Sequence, residues 1–136
     1  LVDTDVILDF YLGRKPFAES AINLFDLCEK KRIIGFTTPV IICNVYYLLS
    51  KLEKHEIIIH KITMLLKIID VINVDKKSIE LALQSNFKDF EDAIQNFSAV
   101  QQSNIELIIS RNIKDFKNSK LQVQTPKMFL NKYYPS

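Results

Sequence analysis

Short apolar runs alternate with segments of helical period along the whole chain, and that cadence limits the available folds more than any single motif. The opening residues from Leu1, then Ile33 to Phe36, Val71 to Val74 and Ile105 to Ile109 read as buried strands, with Leu121 to Val123 as a short edge strand. Apolar positions three and four apart mark helices from Phe17 to about Lys31, Thr38 to about Lys54, Glu56 to Ile68, Lys77 to Gln84, Phe90 to Gln102 and Pro126 to Lys132. Strand followed by helix followed by strand requires right-handed crossovers and a parallel sheet. The expected architecture is therefore a three-layer α/β/α sandwich around a central parallel sheet of four to five strands. At 136 residues, with no repeat, linker or low-complexity run, the chain suits a single domain over 1–136.

Local signals place several boundaries. Gly13 to Pro16 reads as a turn, Thr38 caps a helix with Pro39 at its first position, and Asp89 caps another that has Asp92 in its first turn. The run from Val40 to Leu49 is apolar nearly all round, which predicts burial on most faces, and Asn44 is the lone amide within it. In the next helix Ile59, Ile62, Leu65, Leu66 and Ile69 are expected to face the core. Cys28 and Cys43 form no ligand pattern and read as buried, reduced thiols, while His55 and His60 are five apart and share no helix face. No apolar run is long enough to span a bilayer and no signal-peptide pattern opens the chain, so a cytoplasmic protein is expected. Leu1 opens inside a strand, so residues are expected before it.

The chemistry concentrates in acids. Leu1-Val2-Asp3-Thr4-Asp5-Val6-Ile7-Leu8-Asp9 sets three carboxylates in an apolar stretch. Its apolar start, read as a buried strand, delivers Asp3 and Asp5 from its C-terminal end to the crevice at the carboxyl edge of the sheet, where open α/β sheets bind ligands. The alternative is that Asp3 or Asp5 only caps a following helix. Strand C-termini and helix N-termini share that edge in such a fold. Asp3 and Asp5 should therefore meet Asn44, Glu91, Asp92, Asn112 and Asp115 there. Carboxylates gathered in this way suit a hard divalent ion, Mg²⁺ or Mn²⁺. Net charge is only +2, so any nucleic-acid surface must be local, and Arg111, Lys114, Lys117 and Lys120 lie beside the same edge.

Four segments in order resemble the PIN-domain family, including its VapC-type toxin nucleases. Val2-Asp3-Thr4-Asp5 is similar to the family's Asp-Thr-Asn start, Asp92-Ala93-Ile94 to its second acidic motif, Ile109-Ser110-Arg111-Asn112 to its Thr-Arg-Asp segment, and Thr125-Pro126-Lys127-Met128-Phe129 to its closing motif. The resemblance implies a metal-dependent endoribonuclease, the toxin of a toxin–antitoxin pair, with an antitoxin partner and a homodimer that the Glu56 to Ile68 helix could serve. It carries the first acid onto Asp3 and the later one onto Asp92, and sets Asn44 and Asn112 at positions where members have Glu and Asp. The implied catalytic set is Asp3, Asp92, Asn112 and Asn44; the implied metal set is Asp3, Asp92, Asp5 and Asp115; Arg111, Lys114 and Thr4 are expected to contact the RNA. Two neutral amides in place of acids leave open a second reading, a catalytically degenerate module that binds RNA or protein. Asp3-Thr4-Asp5-Val6 also fits the start of haloacid-dehalogenase-like phosphatases, in which the first Asp attacks phosphorus.

Overall fold

The computed structural model describes residues 1–136. Two short parallel strand pairs form its sheet. β1 (Gly35–Thr37) pairs with β2 (Ile69–Val71), and β3 (Leu107–Ile109) pairs with β4 (Gln122–Gln124). Extended residues 1–3 join the two pairs: the Val2 amide donates to Phe36 O at 2.9 Å, Asp3 to Ile109 O at 2.9 Å, and the Ile109 amide to Leu1 O at 2.7 Å. Val2 and Ile109 form a parallel bridge. Spatial order is thus β2, β1, the opening segment, β3, β4, a parallel α/β arrangement as the alternation predicts.

Gly35 is required where β1 passes closest to its neighbours. A Cβ there would stand 2.8 Å from Ile69 Cγ2 and 2.9 Å from Cys28 Sγ, so any larger residue forces β1 away from β2 and from the helix carrying Cys28.

Seven α-helices flank the strands: α1 (Thr4–Leu12), α2 (Ala18–Glu29), α3 (Pro39–Leu49), α4 (His55–Leu65), α5 (Lys76–Leu83), α6 (Phe90–Val100) and α7 (Pro126–Tyr133). One group links α1 to α2 and α3, α2 to α7, and α3 to α4; α5 packs on α6 apart from these. Val6 and Ile7 of α1, Leu24 and Phe25 of α2, Ile41, Val45 and Leu49 of α3 and Ile108 of β3 share one core cluster. No helix is long and apolar enough to cross a membrane.

The structure departs from the sequence reading in five places, each with a packing cause. Helix α1 starts at Thr4, directly after the Asp3 cap, over a run to Leu12 for which the sequence reading holds no helix. Helix α3 stops at Leu49 and buries only the stripe Ile41, Val45, Leu49; Tyr47, Leu48 and Cys43 are exposed, so Cys43 is not a buried thiol. In α4 the inward residues are Ile58 and Leu65, seven apart, while Ile59 and Leu66 face out. Strand β2 starts at Ile69, two residues before the expected Val71. Helix α6 leaves Phe90 exposed and buries Gln95, Asn96 and Ser98 instead, because its polar side faces the sheet edge.

Candidate active site

Asp3 ends the central extended segment and begins α1, so one carboxylate serves both the helix and the edge of the sheet. Its Oδ1 accepts the Thr4 amide at 2.8 Å and its Oδ2 accepts the Ser110 hydroxyl at 2.8 Å. Ser110 follows β3 and is fully buried; its Oγ also accepts the Asn112 amide at 3.0 Å. Asn112 Nδ2 then donates to Asp5 Oδ2 at 2.8 Å. Two segments more than a hundred residues apart are joined by this relay.

The other wall comes from α3 and α6. Thr38 caps α3, accepting the Ile41 amide at 3.1 Å, and donates to Gln95 Oε1 of α6 at 2.7 Å. Asp89 caps α6 by accepting the Asp92 amide at 2.9 Å, which fixes Asp92 in the first turn, where the helix dipole favours a carboxylate. Between these walls lies a cleft of about 420 Å³. Asp3, Thr4, Asp5, Asn44, Asp92, Asn112 and Asp115 all line it, and so do Asp89, Glu91, Tyr47 and Leu48.

Six of the lining residues are carboxylates and none is a cation. Burial pushes the Asp92 carboxyl up to about 7, and the charges of Asp3, Asp89, Asp115 and Glu91 push it the same way. Burial also raises Asp3, against the opposing hydrogen bonds from Ser110 and Thr4. Of the six, Asp5 alone has a cationic partner, Arg14 at 4.0 Å, so the remaining crowded acids call for a cation.

A model of the PIN domain matches residues 1–114 of the chain. The chain is a PIN domain. Over 99 residues it is 28% identical to Ribonuclease VapC1 of Aquifex aeolicus (strain VF5), covering 69% of this chain and 68% of that protein. Its backbone matches, at TM-score 0.65 and 17% identity, the crystal structure of VapBC2 from Rickettsia felis bound to a DNA fragment from their promoter; the match covers 91% of this chain and 96% of that one. This second likeness is one of fold.

Some charged residues of this PIN domain are engaged outside the cleft. Asp9, third of the opening acids, is buried in a clamp: Oδ1 lies 2.7 Å from Arg14 Nε and Oδ2 lies 2.8 Å from Arg111 Nε. The Arg111 guanidinium also stacks over Phe17, 4.1 Å from the ring centroid. Arg111 is therefore a counterion to Asp9, beside Arg14. Lys114 lies in a neighbouring groove that shares Asp89 and Asp115 with the cleft. Ser110, which no role had been given from the sequence, proves to be the hydroxyl that joins the two acidic segments; its place directly after a strand was the available signal.

No three Asp, Glu, His or Cys side chains stand close enough to cage a metal ion by themselves. Mg²⁺ does not need such a cage, because it keeps several waters and binds proteins through one or two carboxylates. Asp3 and Asp92, which line the cleft together, make a donor set compatible with an ion of that kind. Asn112 can add an amide oxygen, since its Nδ2 is committed to Asp5.

Proposed function

We propose that this PIN domain, acting as a single unit over 1–136, is a divalent-metal-dependent endoribonuclease and the toxin of a toxin–antitoxin pair. The observation that carries the reading is the gathering in one cleft of Asp92, whose carboxyl is raised to about 7, with acids from two other segments of the chain, Asp3 and Asp5 from the first and Asp115 from the second. No side chain lining the cleft is cationic, so a bound cation would balance that charge. The relatives named ribonuclease and VapBC2 support the same reading and suggest an antitoxin protein as partner. A homodimer is proposed on the family resemblance.

Asp3 and Asp92 would hold Mg²⁺ or Mn²⁺, with Asp5 and Asp115 as neighbouring or substitute carboxylates. A divalent ion there supplies an activated water and neutralises charge building on the phosphodiester. The chain's own part is to orient. Ser110 holds the Asp3 carboxylate in one rotamer, Asn112 holds Asp5, and Asn44 offers an amide to water or substrate. No histidine lines the cleft to take the proton, so it would pass to a carboxylate not engaged on the ion or to solvent.

The test is incubation of purified protein with structured and unstructured RNA, with Mn²⁺ or with excess chelator, beside Asp3→Asn and Asp92→Asn. Cleavage that needs Mn²⁺ and is lost in both variants is the expected result. Cleavage that persists in chelator overturns the mechanism. The amides Asn44 and Asn112, with no three-carboxylate cage, favour one rival, a binding module without chemistry. No Mn²⁺ binding at millimolar concentration in calorimetry would establish that rival.

A further inference from the structure

Next to the acidic cleft, three lysines converge on a second groove of about 290 Å³. Lys88 comes from the turn before α6; Lys114 and Lys117 come from the 3₁₀ turn Ile113–Phe116 and the residue after it. A spacing of three sets Lys114 and Lys117 on one side of a 3₁₀ turn. All three are exposed, and none takes part in the five ion pairs of the molecule. The walls are joined from below: Phe87 packs edge-on against Phe116 at 6.3 Å and Phe97 at 5.8 Å, and Asn118 Nδ2 donates to Asn86 O at 3.4 Å. The groove therefore exists before any ligand arrives.

Of its eight lining residues only Phe87 is apolar. A protein partner would need an apolar centre, whereas three ammonium groups and two amides, which outnumber the carboxylates of Asp89 and Asp115 shared with the cleft, match a sugar-phosphate backbone. Its junction with the cleft at Asp89 and Asp115 gives a strand crossing the acids one continuous way out. We propose that Lys88, Lys114 and Lys117 bind backbone phosphates of single-stranded RNA on one side of the cleaved bond. This rests on the nuclease reading for its substrate. The lysines add affinity independent of base sequence and set which flank of the RNA the enzyme requires.

Fluorescence anisotropy with a labelled single-stranded RNA of about a dozen nucleotides, in excess chelator so that nothing is cut, tests the groove apart from catalysis. Each phosphate contact on a single strand contributes about 0.7 to the slope of log affinity against log salt. Replacing Lys88, Lys114 and Lys117 together by Gln should flatten that slope by about 2. From 50 to 200 mM salt, wild type should then lose about 20-fold more affinity than the triple variant. An unchanged slope in a triple variant with wild-type Tm overturns the proposal. Lysine-dependent binding of polyglutamate with lysine-independent binding of RNA also overturns it, and assigns the groove to an acidic protein segment. A wild type that cuts no RNA yet shows the lysine-dependent slope keeps the groove while removing the nuclease reading.

Discussion

Ser110 donates its hydroxyl to Asp3 at 2.8 Å across a separation of 107 residues, and both groups are buried. The bond favours the ionised carboxylate and opposes the effect of burial. Ser110→Ala should therefore raise the proton affinity of Asp3 and weaken Mn²⁺ binding by about 10-fold, the usual loss when a residue supporting a ligand is removed. Stability should fall by about 1 to 2 kcal/mol. Ser110→Thr keeps the hydroxyl and should restore most of the metal affinity. Calorimetric titration of the three proteins at one pH decides the point; equal affinity in the Ala variant would refute the role of Ser110.

Asp92 makes the metal-free fold sensitive to pH in a direction opposite to a salt-bridged acid. In the folded chain its carboxyl keeps a proton up to about 7, whereas an unfolded Asp releases it near 4, so the folded state binds more protons between those values. Stability then falls as pH rises through that window. A shift of this size is worth about 4 kcal/mol at full effect, and about half of that after solvent screening of a half-buried group. Asp92→Asn should match wild type at pH 4 and exceed it by about 2 kcal/mol at pH 8 without metal. Urea melts at the two pH values measure this, and a variant no more stable than wild type at pH 8 would show that the acids do not repel one another.

Metal must compete with that same proton. Mn²⁺ affinity should rise with pH through about 7, because the ligand carboxylates have to be deprotonated and burial raises both Asp92 and Asp3. Millimolar Mn²⁺ should raise the Tm of wild type at pH 8, by mass action on the folded state, and leave Asp92→Asn little changed. A thermal shift of equal size in both proteins would place the ion elsewhere.

Asp9 carries a structural load that its sequence context hides. Its carboxylate is buried between Arg14 and Arg111, so Asp9→Asn leaves two guanidinium groups short of their charge partner. The expected loss is about 3 kcal/mol, in the range for breaking a buried pair. Arg111→Ala should also destabilise, partly through its lost stacking on Phe17. Neither change should alter Mn²⁺ stoichiometry in protein that remains folded.

How far the sequence could be read depended on the range of the forces involved. Caps are local, and Thr38 with Pro39 and Asp89 with Asp92 stand as their neighbours dictate. The meeting of acids was legible as well, since a parallel sheet sends every strand end and the next helix start to one edge. Helix α1 was not. Val6-Ile7-Leu8 has the composition of a buried strand, and only the Asp3 cap with Val6, Ile7 and Phe10 at helical spacing signals otherwise. The choice between cap and site residue for Asp3 was a false one, because its two oxygens do both. The partner of Arg111 was hidden for a different reason: a basic residue after a strand looks the same whether it faces a phosphate or a buried acid 102 residues earlier in the chain. Which face of α4 turned inward was equally hidden, as Ile57, Ile58 and Ile59 are chemically identical.

Asn44 offers a way to ask whether charge or geometry limits the site. It lines the cleft from α3, opposite Asp92 on α6, at the position where the PIN resemblance expects Glu. Asn44→Glu adds a seventh carboxylate to six that already repel one another, so the metal-free protein should lose stability as pH rises above 7. The same charge should tighten Mn²⁺ binding by about 10-fold, because a hard cation gains from each added anionic oxygen. Opposite movements of metal-free stability and metal affinity are the signature of an electrostatic site. Asn112→Asp is a weaker version of the same test, since it also breaks the amide donation to Asp5 at 2.8 Å. If Asn44→Glu destabilises the protein and leaves Mn²⁺ affinity where it was, α3 does not reach the ion, and the metal belongs to Asp3 and Asp92 alone.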